Sequence, residues 1–381
     1  MVGRHDLVVE PESEPSPPER VVGRRARLTY LILAVVLAVG AVVAIAVAAG
    51  TDADRLAAPV DPSNLRVGPP APDVEATAWL NSPPLTARDL KGKVVLYDFW
   101  TYSCVNCVRT IPYLRAWNDR YASDGLVIVG VHSPEFEFEK SDANVATAAR
   151  KLGVTWPIAI DDDHEVWDAF AVQYWPTKIV ADRDSRVRFS HIGEGQYANT
   201  ESVLRALLAV DPNSPRAVVS NDVTGRPEQT VADELTPERY LGTLRGSVAA
   251  AGARVYPTAP VLRTNELAIV GPWKGEAERI VSVDAGAAIV LAYRSREVNL
   301  VMSSEVPGGL PTDVYVEVDG KPVPPELRTP IVQVDARGRT FVRVLDADMY
   351  RLVRGPAIEE HTVTVTASTA GLAAYAFTFG V

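Results

Sequence analysis

Short apolar runs alternate with stretches of helical periodicity from residue 94 to residue 210, and the pattern then changes to closely spaced strand-like runs. Val94–Trp100, Leu126–His132, Trp156–Ile160, Lys178–Ala181 and Val187–His191 read as strands, the last two as a hairpin turning at Asp182–Ser185. Between them, Cys104 to about Tyr121, Ser141–Leu152, Asp161–Ala171 and Thr200–Val210 read as helices. Ser141 is placed to cap the second of these, and Asp161 to cap the third. Leu65–Leu90 is expected to add a small β-hairpin. Strands alternating with helices imply an α/β sheet covered on both faces.

Residues 211–235 shift to Pro, Asn, Ser, Asp and Gly and read as a linker. Beyond it come strand-like runs at 266–270, 277–283, 288–293, 297–302, 313–318, 331–334, 340–345, 360–366 and 373–379. Asp319-Gly320 is a hairpin-turn signal before Pro322-Val323. Many short strands with regular turns predict an all-β sandwich over residues 236–381.

The longest apolar run is Leu28–Ala49, which is uncharged and long enough to span a bilayer. Arg20, Arg24, Arg25 and Arg27 precede it, and Asp52 and Asp54 follow. The basic flank stays inside, so a single transmembrane helix over residues 28–50 leaves the bulk of the chain outside the cytoplasm. A cleaved signal peptide is the rival reading, with Ala46-Val47-Ala48 as its possible cleavage region; such apolar regions are usually shorter. Residues 1–27 read as a disordered cytoplasmic tail and 51–64 as a stalk, which leaves 65–210 as the α/β domain. A net charge of −10, with no basic patch, argues against nucleic acid as a partner.

The 381 residues hold two cysteines, Cys104 and Cys107, three apart at the strand-to-helix turn. On one face of a first helical turn the two sulfurs can bond to each other, and the helix N-terminus favours a thiolate. A metal knuckle needs four ligands; there is no second cysteine pair, and the five histidines are scattered, so no metal or other cofactor is expected. A disulfide across three residues closes almost no loop and stabilises little. Outside the cytoplasm such a pair is free for redox work. Asp98, inside an apolar strand, is expected to be buried with a raised pKa and to exchange a proton with the second thiol. Pro112 falls inside the helix pattern and is expected to kink it. Pro176, entering a strand after Trp175, is a candidate cis peptide.

Asp98-Phe99-Trp100, the CxxC four positions on, Pro112, and the later Trp175-Pro176 resemble the thioredoxin superfamily, in its extracytoplasmic TlpA/ResA-like branch. The phrases Asp98 to Cys104, Gly130 to Phe136 and Tyr174-Trp175-Pro176 are more similar still to the soluble C-terminal half of DipZ-type thiol:disulfide interchange proteins. The resemblance implies a thiol-disulfide oxidoreductase with Cys104 attacking, Cys107 resolving, Asp98 as buried proton acceptor and Pro176 facing the disulfide. Trp100, Tyr102 and Trp175 are the candidate substrate contacts. It implies protein thiols and disulfides as partners. It also implies a galactose-binding-like jelly roll, for which Trp273, Tyr293 and Tyr315 would stack on a possible glycan. DipZ-type chains carry several membrane spans and this one does not, so a separate membrane electron donor or acceptor is required. Two rival readings remain: a surface binding protein with a vestigial CxxC, and a peroxiredoxin-like peroxidase. Against the latter, Tyr102-Ser103 precede Cys104 where that family places a Pro and a Thr.

Three further features carry a bland and a sharper reading. Asp161 to Glu165 is a helix cap or, less simply, a metal cluster; His132 is structural or a substrate contact. Glu135, Glu137 and Glu139 form a solvated loop or one that tunes the potential and selects partners.

Overall fold

The computed structural model describes residues 60–217, residue 219 and residues 235–380. The expected tail and membrane span, most of the stalk and most of the linker lie outside the described residues. Among the described residues no helix is long and apolar enough to cross a membrane.

The N-terminal half is a six-stranded sheet with helices on both faces. Its strands are β1 (Ala78–Leu80), β2 (Val94–Trp100), β3 (Leu126–His132), β4 (Ile158–Ile160), β5 (Thr177–Ala181) and β6 (Val187–Ile192). The helices are α1 (Ala87–Leu90), α2 (Val105–Tyr121), α3 (Asp142–Leu152), α4 (Glu165–Ala169) and α5 (Tyr197–Leu208). The strand order is β1-β4-β3-β2-β5-β6. β2, β3 and β4 run parallel, whereas β5, β6 and β1 are antiparallel to their neighbours.

β2 is central, and all seven of its residues are buried. Its side chains alternate between two cores. Val94, Leu96 and Trp100 join the cluster holding Cys107, Leu114 and Trp117, while Val95, Tyr97 and Phe99 join that of Val166, Trp167 and Ile179. Asp98 is in phase with the first set and therefore faces the helix of the dithiol.

Leu65–Leu90 does not form the expected hairpin. A proline-rich stretch cannot donate a full ladder. Residues 68–71 lie along β6 instead, with Gly68 and Ala71 N–H donating to Val187 and Ser185 and an isolated bridge at Pro70–Arg186. The short β1 pairs with β4. α4 begins at Glu165 rather than at Asp161, because His164 takes a left-handed conformation (φ 60°). Asp161 still caps it, accepting the N–H groups of Val166 and Trp167 at 2.9 and 3.0 Å.

The C-terminal half is all β: β7 (Arg239–Tyr240), β8 (Gly252–Tyr256), β9 (Leu267–Gly275), β10 (Ile280–Ser282), β11 (Ala288–Ser304), β12 (Thr312–Val318), β13 (Lys321–Pro322), β14 (Gln333–Val334), β15 (Thr340–Val344), β16 (Asp348–Ala367) and β17 (Leu372–Gly380). The main path is β14-β15-β12-β16-β11-β17-β10-β9-β8, and β9 also pairs with β11. β9, β10, β17 and β11 thus pair in a ring around a core that includes Ile289, Leu300, Phe377 and Trp273. Asp319 and Gly320 both have positive φ (52° and 70°), which the tight turn between β12 and β13 demands.

Two of the aromatic residues expected to stack on sugar do not present a surface. Trp273 and Tyr293 are 0% and 1% exposed, packed in the core. The Tyr315 ring carries the Arg339 guanidinium 4.0 Å from its centroid.

Candidate active site

Cys104 caps α2, and its Sγ accepts the Cys107 N–H at 3.3 Å. The cap position follows from sequence: β2 ends at Trp100, three residues make the turn, and Val105 opens the helix. A sulfur in that place faces the free N–H groups and positive end of the helix. Cys104 is half-buried and Cys107 is buried, and neither is in a disulfide. Burial, followed by the hydrogen bond and charge of Cys104, pushes the Cys107 thiol well above its ordinary range. One sulfur is therefore reachable, and the other is held as a protonated thiol behind it.

Asp98 is 2% exposed, and its Oδ1 has no hydrogen-bond partner among the described residues. Burial raises its carboxyl to about 7, against the opposing charge of Lys178. Lys178 sits directly across the ladder from Asp98 and is itself fully buried, its Nζ donating to the Gly193 carbonyl at 3.0 Å. Burial lowers the lysine, while Asp98, Cys107 and Glu194 act in the other direction. Asp98, Lys178 and the resolving thiol thus form one electrostatic group beneath the reachable sulfur. A carboxyl near 7 can take a proton from Cys107 and return it at neutral pH.

Cys104 opens into a cleft of about 660 Å³ whose walls come from both halves of the chain. Trp175, Tyr174, His191 and Glu194 line one side, and Tyr240, Arg245 and Thr378 the other. The Trp175–Pro176 peptide is cis, and the Trp175 indole donates to the Ser133 carbonyl at 3.0 Å. Trp175 lines the cleft beside Cys104. Trp100 and Tyr102 do not. They are 1% and 4% exposed, Trp100 because it ends the central strand and Tyr102 because its ring stacks on His132. His132 is fully buried, and burial lowers it to about 3, so it remains a neutral packing residue.

Residues 66–208 match the Redoxin family, and residues 236–380 match the Thioredoxin like C-terminal domain. Protein DipZ of Mycobacterium tuberculosis is 34% identical over 320 residues, covering 81% of this chain and 43% of DipZ. The thiol-disulfide oxidoreductase YkuV of Bacillus subtilis is 29% identical over 146 residues, covering 38% of this chain and 98% of YkuV. A solution structure of a thioredoxin-like protein in the oxidised form is 32% identical, covers 38% of this chain and 97% of its own, and has a TM-score of 0.34. The chain belongs to the thioredoxin superfamily. Its redoxin part is similar to proteins named thiol-disulfide oxidoreductases, and its second part matches the Thioredoxin like C-terminal domain. The chain spans less than half the length of DipZ.

Within this thioredoxin-like site several residues were not visible in the sequence. Lys178 reads as the polar start of a strand; only its register opposite Asp98 reveals it. Glu139 reads as one of three alternating acids in a loop, yet it is 0% exposed. Its Oε1 accepts Ser103 Oγ at 2.6 Å and Ser103 N at 3.3 Å. Its Oε2 accepts the N–H groups of Glu135 and Phe136 at 2.6 and 3.0 Å. Burial raises it to about 7, with the Ser103 hydrogen bond opposing. Arg109, on α2, donates to Asn106 between the cysteines at 2.5 Å and twice to Glu194 at 2.7 Å. The exposed Tyr174 also borders the cleft, a large ring beside the reachable sulfur.

Proposed function

We propose that this chain is a membrane-anchored, extracytoplasmic thiol-disulfide oxidoreductase that exchanges disulfides with protein substrates through Cys104 and Cys107. One observation carries the reading: a half-exposed Cys104 caps its helix at the floor of a cleft, with Cys107 buried behind it beside a carboxyl poised near 7. A vestigial pair in a pure binding protein has no need of that asymmetry.

In reduction, the Cys104 thiolate attacks one sulfur of a substrate disulfide. The S–S bond breaks, the other substrate sulfur leaves as a thiolate, and a mixed disulfide forms. Cys107 then gives its proton to Asp98 and attacks the Cys104 sulfur. The mixed disulfide breaks, the second substrate thiolate leaves, and Cys104–Cys107 is oxidised by two electrons. A separate redox partner in the membrane returns those electrons. The same steps reversed oxidise a substrate dithiol. Tyr174 and Trp175 on one wall, and the cis Trp175–Pro176 segment, are the docking surface for the substrate chain in this reading.

The anchor and the outside location are supported by the uncharged Leu28–Ala49 run and the arginines before it. A galactose-binding-like jelly roll remains our reading of the C-terminal half, supported by its antiparallel strands. A glycan held by stacking finds no open platform on Trp273, Tyr293 or Tyr315.

The test is trapping. Cys107→Ser should accumulate mixed disulfides through Cys104 that resolve when a reductant is added, and Cys104→Ser should accumulate none. Trapping by Cys104→Ser alone would reverse the two roles, and no trapping by either would remove the exchange reading.

A further inference from the structure

The exchange chemistry uses residues of the redoxin part and leaves the β-region without a task. Two buried links nevertheless run from the β-region to the turn that carries the dithiol.

The first passes through the loop after β3. Phe136 and Phe138 pack edge-on against Tyr375, with ring centroids 5.3 and 4.9 Å away. Val281, Val301 and Ala373 complete that apolar contact. Beside it, Glu135 accepts from Tyr240 Oη at 2.6 Å and from Arg245 at 2.8 Å. Glu139 joins this loop to the site: one carboxylate oxygen holds the loop N–H groups of Glu135 and Phe136, the other holds Ser103. Ser103 directly precedes Cys104. Burying a carboxylate is costly unless several donors satisfy it. A loop that only needed closing would not require one reaching to Ser103.

The second link enters at the far end of the turn. Arg109 holds Asn106, between the two cysteines, and its Nη1 lies 3.9 Å from Glu297 Oε2 on β11. The last strand fits closely here, since a Cβ on Gly380 would stand 2.5 Å from that same nitrogen.

We propose that the β-region is a working part of the oxidoreductase site, clamping the Ser103–Cys107 turn from both ends through Glu139 and Glu297, with Glu139 and Arg109 as positioning residues for the attacking sulfur. The proposal rests on the exchange reading above and deepens it: the β-region sets how fast Cys104 attacks. Small displacements of a reacting group cost up to about a hundredfold in rate, so loosening either clamp is felt at the thiol.

The test uses the full-length chain in detergent, with the Cys104 alkylation rate followed against pH and the dithiol potential measured in glutathione buffers. Tyr375→Ala touches neither cysteine and removes the ring that seats Phe136 and Phe138. Together with Glu139→Gln, it should slow alkylation on the order of tenfold and displace both the pH profile and the potential. Tyr375→Phe, which keeps the ring, should restore the wild-type profile. Where Tyr375→Ala fails to fold, Ser103→Ala carries the test, because it deletes one hydroxyl and its 2.6 Å bond to Glu139, leaving only the longer backbone N–H bond; it too should slow alkylation and move the potential. Folded variants with wild-type alkylation and potential would overturn the proposal. A wild-type chain that forms no reversible Cys104–Cys107 disulfide would overturn the exchange reading and this inference together.

Discussion

Asp98 shows how one residue's surroundings decide its chemistry. Its carboxyl moves from an ordinary 3.8 to about 7 because the central strand takes it out of water. The folded value lies above the unfolded one, so the associated stability is fully present below about pH 4 and is lost as pH rises through 7. Asp98→Asn should therefore stabilise the fold increasingly between pH 5 and pH 8, with a ceiling of about 4 kcal/mol. Urea midpoints at the two pH values check this; equal gains at both would show that Asp98 does not titrate as described. The same variant should slow resolution of the mixed disulfide, because Cys107 loses its proton acceptor. The burial of Asp98, the place of the cysteine pair at the helix start and the cis peptide at Pro176 were legible because each is a residue type out of place in its local pattern. Trp100 and Tyr102, expected as substrate contacts, are instead buried, because proximity in sequence does not show which side of a strand end faces water. Lys178 and Glu139 escaped notice because a lysine opening a strand and a glutamate in an acidic loop both look solvated.

At the scale of elements, the strands and helices that carry the dithiol lie where the hydrophobic pattern puts them, β2 and β3 to the residue. The misses have local causes. Asp161 was read as the residue adjoining its helix, but it reaches over a left-handed His164 to cap from a distance. Its oxygens accept from Ser133 Oγ, Val166 N and Trp167 N, all buried. Asp161→Ala strands those donors and should cost about 3 kcal/mol, whereas Asp161→Asn should recover part of it. Equilibrium unfolding measures both, and equal losses would place the effect elsewhere. In the β-region, 288–293 and 297–302 read as two strands because Arg294-Ser295-Arg296 resembles a turn. They are one strand, β11, with a bulge at Ser295/Glu297, where the buried Ser295 hydroxyl takes part in bonds to the Glu297 and Gly380 carbonyls. β16 was seen only in part, since its first half mixes exposed and buried positions without strict alternation.

At the scale of the whole molecule, the sequence separates a redoxin part from a β part, and the described structure joins them at the cleft over Cys104. That junction is built from residues far apart in the chain, such as Glu135 with Arg245 and Phe136 with Tyr375, so no local pattern announces it. It gives the β-region a bearing on the thiols that an appended binding module would lack. The account stands on a dithiol that opens and closes reversibly, with Cys104 as its outer sulfur. Equilibrating the chain over a series of glutathione buffers, quenching with an alkylating reagent and weighing the products tests this directly. One two-electron transition linking Cys104 to Cys107, with Cys104 alkylated first in the reduced form, is the predicted result. Thiols that never pair, or a Cys107 that alkylates before Cys104, would contradict it.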